Sequence, residues 1–243
     1  MKTFVSVIPA TLYICTIAAW ITGCAAKQSR DEMTWDVLAR RDMVTSQIQV
    51  RGISDKRVID AMLKVERHKF VPSDYERLAY GDFPLPIGEE QTISQPYIVA
   101  LMTEELELKV TDRVFEVGTG SGYQAAVLSL LVDEVFTVEI IETLADSATR
   151  RLERLGFGNV HVRCGDGFLG WPEAAPFDAI IITCAPPKLP QPLVDQLAEG
   201  GRLIVPLGQD YQILTLYKKV AGSLQKEEII PVIFVPMRGL IEE

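Results

Sequence analysis

Histidine is almost missing from this chain: His68 and His161 are the only two in 243 residues. The four cysteines, Cys15, Cys24, Cys164 and Cys184, add no metal-ligand spacing to them. A Cys/His zinc site and a serine–histidine–acid triad are therefore both without a basis. Positive charge is also short, with 24 Lys and Arg against 33 Asp and Glu, a formal balance of −9. No basic stripe stands out, which excludes a general nucleic-acid binder. An anionic substrate would need local donors rather than a favourable global field. The lysine of a phosphate-binding loop is absent too, because Gly122 is followed by Tyr123-Gln124 instead of Lys-Ser/Thr. No internal repeat or low-complexity tract occurs.

The N-terminus reads as a separate object. "MKTFVSVIPATLYICTIAAWITGC" has one early Lys, then about twenty uncharged residues, and ends on Ile21-Thr22-Gly23-Cys24. It resembles a bacterial lipoprotein signal in which Cys24 is lipidated; an uncleaved membrane anchor, or a start upstream of the true one at Met33 or Met43, remains open. The expected organisation is a signal-like segment 1–24, a polar tether 25–32 and one domain 33–243. Within that domain, 33–95 is a helical and loop elaboration and 96–243 an α/β core.

The patterning after residue 33 supports this division. In "SDKRVIDAMLKVERHKF", Val58, Met62 and Val65 share a helical face, with Ser54 as the expected N-cap. The four-proline stretch from Val71 to Pro96 has little periodicity and is expected to be largely loop. Then β-type runs ("RVFEVG", "EVFTVEI", "NVHVRCGD", "FDAIIITCAP", "GGRLIVPLG") alternate with the helical "YQAAVLSLLV", "TLADSATRRLERLG" and "PQPLVDQLAEG". That alternation calls for a doubly wound α/β fold with a mostly parallel sheet. "YQILTLYKKV" and "EEIIPVIFVPM" flank a turn at Ala221-Gly222-Ser223 and predict an antiparallel pair at its end. Cys164 and Cys184 are expected as free thiols.

"FEVGTGSGYQ" places Gly118, Gly120 and Gly122 directly after the first such strand. The spacing is G-x-G-x-G, not the G-x-G-x-x-G of a dinucleotide loop, but the strand–turn–helix context suits a nucleoside-type ligand. Glu139 follows about twenty residues later, where a ribose would be read. Glu116 ends the first strand and faces the same crevice; an anion there opposes a pyrophosphate but attracts a cationic methionine moiety. Asp166 and Gly167 in "CGDGF" stand where an adenine amino group could be read. This ordered set resembles the S-adenosylmethionine-dependent methyltransferase signature.

"QTISQPYIVALMTEEL" narrows the reading. Pro96 suits a first helical turn, Gln95 is the expected N-cap, and Ile98, Leu101, Met102 and Leu106 give the helix a buried face. Ser94 then lies at the helix entrance, where free N–H groups can receive a carboxylate; a plain capping hydroxyl is the alternative. Ile93-Ser94-Gln95-Pro96, "VFEVGTGSGYQAA", "CGDGFLGW", "APFDAIIITCAPPKLP" and "FVPM" follow one another as in the protein-L-isoaspartate (D-aspartate) O-methyltransferase family, which residues 35–240 resemble. The resemblance implies S-adenosylmethionine as co-substrate, Ser94 as the active-site serine, and Gln91, Thr92 and Ile93 near the cofactor. It implies the α-carboxylate of L-isoaspartyl residues in damaged proteins and peptides as methyl acceptor, with no metal. Glu116 and Glu139 depart from the Asp of many members, and Arg238 stands after "VPM" where some have Thr, which leaves C-terminal substrate contacts open.

A carboxylate is ionised at neutral pH and needs no general base, so the shortage of His suits this chemistry. Two other readings stay open on sequence: a small-molecule methyltransferase, and a peptide- or cofactor-binding lipoprotein without turnover. Cofactor supply places the activity in the cytoplasm; the Cys24 pattern gives the alternative of a lipid-anchored periplasmic protein.

Overall fold

The computed structural model describes residues 34–242. The segment through Cys24 and the tether, with the lipidation and anchoring expectations attached to them, lies outside that range. Among the described residues no helix is long and apolar enough to cross a membrane.

The first elements are helical: α1 (Trp35–Asp42), π and 3-10 turns to Arg51, and α2 (Lys56–Lys64). Val58 and Met62 are buried as their spacing predicts. The cap of α2 is Asp55 rather than Ser54, its carboxylate accepting from the Arg57 N–H. The segment expected as loop contains a small hairpin, β1 (Leu85–Gly88) and β2 (Gln91–Ile93). Its turn residues Glu89 and Glu90 both have positive φ, 52° and 59°, the conformation of a two-residue hairpin turn that Asn-Gly usually supplies.

Helix α3 (Pro96–Glu105) starts with its proline, and Gln95 is its N-cap residue. The Gln95 amide does not cap the helix; it donates instead to the Asp82 carboxylate and carbonyl at 2.8 and 3.1 Å. Five parallel strands follow: β3 (Arg113–Val117), β4 (Glu134–Glu139), β5 (Val160–Cys164), β6 (Phe177–Ile182) and β7 (Leu197–Leu207). They alternate with α4 (Tyr123–Ser129), α5 (Glu142–Leu155) and α6 (Gln191–Gln196). Strands β8 (Gln212–Val220) and β9 (Ser223–Val232) complete the sheet antiparallel, as expected.

The sheet order is β5-β4-β3-β6-β7-β8-β9. Chain order runs outward from β3 to β5, then jumps back to β6 on the other side of β3. That reversal opens a crevice beyond the carboxyl ends of β3 and β6, where ligands of open α/β sheets bind. Strand alternation divides the faces. Phe115, Val117, Phe136, Val138, Ile180, Ile182, Leu203 and Val205 point into one core layer with Leu193 of α6 and Phe177. Phe115 and Phe177 stack at 5.0 Å between ring centroids. Each such buried side chain contributes on the order of 1.5–3 kcal/mol. Glu116 has the opposite parity and lies on the other face of the sheet, in register with Thr137 and Ile181, where it is also fully buried.

Candidate active site

The crevice is a cleft of ≈ 800 Å³, counting its solvent-open part. Its wall includes Gln91, Thr92, Ile93 and Ser94 from β2 and the entrance of α3, and Glu116, Gly118 and Gly120 from β3 and its loop. Glu139 and Gly167 complete the expected set. Gly122 and Asp166 are not part of the wall. Gly122 lets the loop pack on α5, since a Cβ there would stand 3.1 Å from Leu152 Cδ1. Asp166 caps a 3-10 turn, accepting from Phe168 N at 2.8 Å, and its other oxygen accepts from Leu240 N at 2.8 Å. Its carboxylate thus joins the exit of β5 to the C-terminal segment and, like that of Glu139, keeps acceptor positions beyond these two bonds.

The loop after β3 is held from three sides. Gly118 has φ +95°, and a Cβ on it would meet Thr183 Oγ1 at 2.6 Å. That hydroxyl donates towards the Val117 and Gly118 carbonyls, at 2.9 and 2.8 Å. From β4, Glu139 accepts from Gly120 N at 2.8 Å and from Ile141 N at 3.0 Å. A carboxylate has about four lone-pair sites, so two acceptor positions remain for a ligand hydroxyl. Thr119 and Thr137 hydroxyls share a hydrogen bond of 2.7 Å below the loop.

Glu116 is the unusual group. Neither carboxylate oxygen has a hydrogen-bond partner. Burial pushes its pKa up to about 8, with Thr137 pulling the other way and Glu139 adding to the rise. An unpartnered buried carboxyl costs several kcal/mol if charged, so it stays protonated until a cation or donor arrives. Cys184, also on the wall, is held up to about 12, chiefly by burial. Cys164 and Cys184 are both free, as expected.

Ser94 is half-buried on the cleft wall, and its side chain makes no hydrogen bond among the described residues. Sequence reasoning missed Thr119, Ser121, Tyr123, Thr183 and Cys184, and left Arg238 open. The positional signal for Thr183 and Cys184 was there: they directly follow the strand on the far side of the reversal. Elsewhere, Asp36, Glu66 and His68 come within 4.8 Å of one another. Arg40 pairs with Asp36, and Lys69 with Glu66, so both carboxylates already have cations.

The geometry satisfies the demands of S-adenosylmethionine. A buried acid without a partner suits a cationic methionine end, a cradle of positive-φ glycines suits close backbone approach, and Glu139 offers acceptors at the end of the second strand.

The model of the family Protein-L-isoaspartate(D-aspartate) O-methyltransferase matches residues 39–242. A curated relative from Shewanella sediminis, Protein-L-isoaspartate O-methyltransferase 2, is 52% identical over 226 residues, 92% of this chain and 89% of the relative. Another of that name from Anaeromyxobacter is 47% identical over 96% of this chain and 97% of its own. Among solved structures, a protein-L-isoaspartate O-methyltransferase superposes with a TM-score of 0.75 at 34% identity, covering 83% of this chain and 67% of the other. A Plasmodium falciparum beta-aspartate methyltransferase structure, in complex with S-adenosyl-L-homocysteine, gives 0.72 at 28% identity over 84% and 98%.

Proposed function

The chain belongs to the protein-L-isoaspartate(D-aspartate) O-methyltransferase family, and from that premise we propose how its own residues carry out the reaction. The activity is methyl transfer from S-adenosylmethionine to the α-carboxylate of L-isoaspartyl residues in damaged proteins and peptides. The observation that carries the residue assignment is the convergence of Ser94, Glu116 and Glu139 on one cleft wall.

S-adenosylmethionine supplies a methyl group made electrophilic by its sulfonium. Glu116 receives the positive methionine end, ionising as it gains a counter-charge. Glu139 accepts the ribose hydroxyls while it holds the loop at Gly120. The backbone of Gly118 and Gly120 lets the ligand approach without side-chain obstruction. Gln91, Thr92 and Ile93 close the cleft from the β2 side and deliver Ser94 to the acceptor. Ser94 Oγ donates to one carboxylate oxygen and turns the other towards the methyl group.

No general base is required, because the acceptor is already ionised. The enzyme's contribution is placement, and bringing nucleophile and electrophile to near-attack geometry is worth up to roughly 7–11 kcal/mol in well-oriented systems. The resulting ester cyclises to a succinimide whose hydrolysis returns some normal aspartate, so methylation alone suffices for repair. We place the activity in the cytoplasm, where the methyl donor is made; labelling with a fatty acid that disappears in Cys24→Ser would contradict this.

Ser94→Ala tests the assignment. Losing one neutral-to-charged hydrogen bond costs about 1.5–3 kcal/mol, a fall of roughly ten- to a hundredfold in transfer to an isoaspartyl peptide. Affinity for S-adenosylmethionine should stay at the wild-type level. Undiminished transfer would remove Ser94 from the mechanism.

A further inference from the structure

The acceptor is an anion approaching a chain of net charge −9, and the cleft wall itself carries the acids Glu116 and Glu139. Among the described residues of that wall, Arg238 is the one Lys or Arg. The backbone holds it from both sides. Residues 235–237 are strapped to the segment that follows β6 by Ala185 N to Val235 O at 2.8 Å and Met237 N to Ala185 O at 2.9 Å. Two residues beyond Arg238, Leu240 N donates to Asp166 at 2.8 Å.

The guanidinium has only a loose partner. Arg238 Nη2 stands 3.6 Å from Glu90 Oε2, with the two side chains 46% and 91% exposed. That separation is an ion pair without a good hydrogen bond, and such exposed pairs are weak. Glu90 sits on the hairpin turn whose second strand leads directly to Ser94. Arg238 and Ser94 therefore reach the same cleft from two different segments, one bringing a charge and the other a hydroxyl.

We propose that Arg238 is the specificity-determining residue for the acceptor: it gives up Glu90 to pair with the free α-carboxylate of the isoaspartyl residue, and returns to Glu90 once that carboxylate is esterified. The inference rests on the function proposed above. In the transfer, a carboxylate oxygen bonds to the methyl carbon as the carbon–sulfur bond breaks, its electron pair going to sulfur. The carboxylate and sulfonium charges vanish together, no proton moves, and the neutral ester loses its hold on Arg238. A normal aspartyl residue has its α-carboxyl in the peptide bond and presents a different, side-chain carboxylate spacing to the same cation.

The kinetic signature follows from when the charge is lost. Attraction to a carboxylate is strongest in the bound ground state and weaker in the transition state, so it strengthens binding without raising turnover. Removing it should raise KM and leave kcat unchanged or slightly higher, the reverse of general structural damage.

The test compares wild type, Arg238→Gln, Arg238→Lys and Glu90→Gln. Calorimetry on protein saturated with S-adenosylhomocysteine measures binding of an isoaspartyl peptide and of the same peptide with that α-carboxylate replaced by carboxamide. Wild type should prefer the acid by about tenfold, a half-exposed charge-assisted bond. Arg238→Gln should bring the two within about twofold, and Arg238→Lys should retain part of the gap. In turnover, Arg238→Gln should raise peptide KM about tenfold at undiminished kcat. Glu90→Gln, by freeing the cation, should lower KM by about two- to fivefold.

An acid–amide gap that survives Arg238→Gln, or a kcat that falls while KM holds, would overturn the role of Arg238. If Arg238→Gln also loses S-adenosylhomocysteine, Glu90→Gln decides: a KM that does not fall overturns the proposal. A wild-type protein that fails to methylate any isoaspartyl peptide would instead overturn the parent reading.

Discussion

Glu116 should couple cofactor binding to proton release. In the ligand-free protein its pKa is about 8, raised mainly by burial, and both oxygens lack partners. At pH 7 such a group is about nine-tenths protonated. A cationic ligand placed beside it favours the charged form, so binding should expel close to one proton from this carboxyl at pH 7. The sign then follows: below pH 8 the proton opposes binding, and affinity rises with pH. The gain should approach tenfold per pH unit well below the raised pKa and level off above it. Without ligand the same shift acts on folding. The folded state holds this proton more tightly than the unfolded chain, so its stability falls as pH rises from the ordinary carboxylate range through about 8. Calorimetry of S-adenosylmethionine binding in buffers of different ionisation enthalpy counts the protons. Glu116→Gln, an isostere of the protonated acid, is the reference that removes the ligand's own amine from the count. Equal proton release in wild type and Glu116→Gln, or an affinity that does not climb from pH 6 to 7, would show that Glu116 does not ionise on binding.

Other expectations follow from the same geometry. Gly118→Ala combines φ +95° with a Cβ at 2.6 Å from Thr183 Oγ1, so titration should find S-adenosylmethionine binding roughly five- to 150-fold weaker, from strain of about 1–3 kcal/mol. Thiol titration should find no disulfide between Cys164 and Cys184, with exposed Cys164 the faster of the two although burial and the acids Glu142, Asp146 and Glu139 raise its thiol pKa. Cys184, held up to about 12 by burial on the cleft wall, should react slowly, and more slowly still with S-adenosylhomocysteine bound.

The central sheet was legible because its strands are buried on both faces and therefore read as nearly continuous apolar runs, such as Ala179 to Ile182. The cleft followed from the glycine loop and the acids at strand ends, which the topology brings together at the reversal beside β3. The β1–β2 hairpin was not legible. Its turn is made by two glutamates with positive φ, without the Gly or Asn that signals such a turn, and Glu89 is held there by the Thr143 hydroxyl at 2.9 Å. The α2 cap falls on Asp55, whose carboxylate accepts from Arg57 N, while Glu104 of α3 takes both the Ser54 and Asp55 N–H groups at 2.7 and 2.6 Å, a tertiary contact invisible in the local sequence. What position alone did not reveal about Asp166 is its second tie, the C-terminal segment donating to it through Leu240 N. Helix α6 is shorter than its pattern because residues from Leu197 pair with β6 and extend β7 backwards.

The most direct test gives the full-length protein S-adenosylmethionine carrying a labelled methyl group and two peptides of one sequence, one with L-isoaspartate and one with normal aspartate at the same position. Base-labile label should appear on the isoaspartyl peptide and none above background on its partner, with transfer reduced about ten- to a hundredfold in Ser94→Ala. Equal labelling of both peptides, or of neither, would contradict this activity.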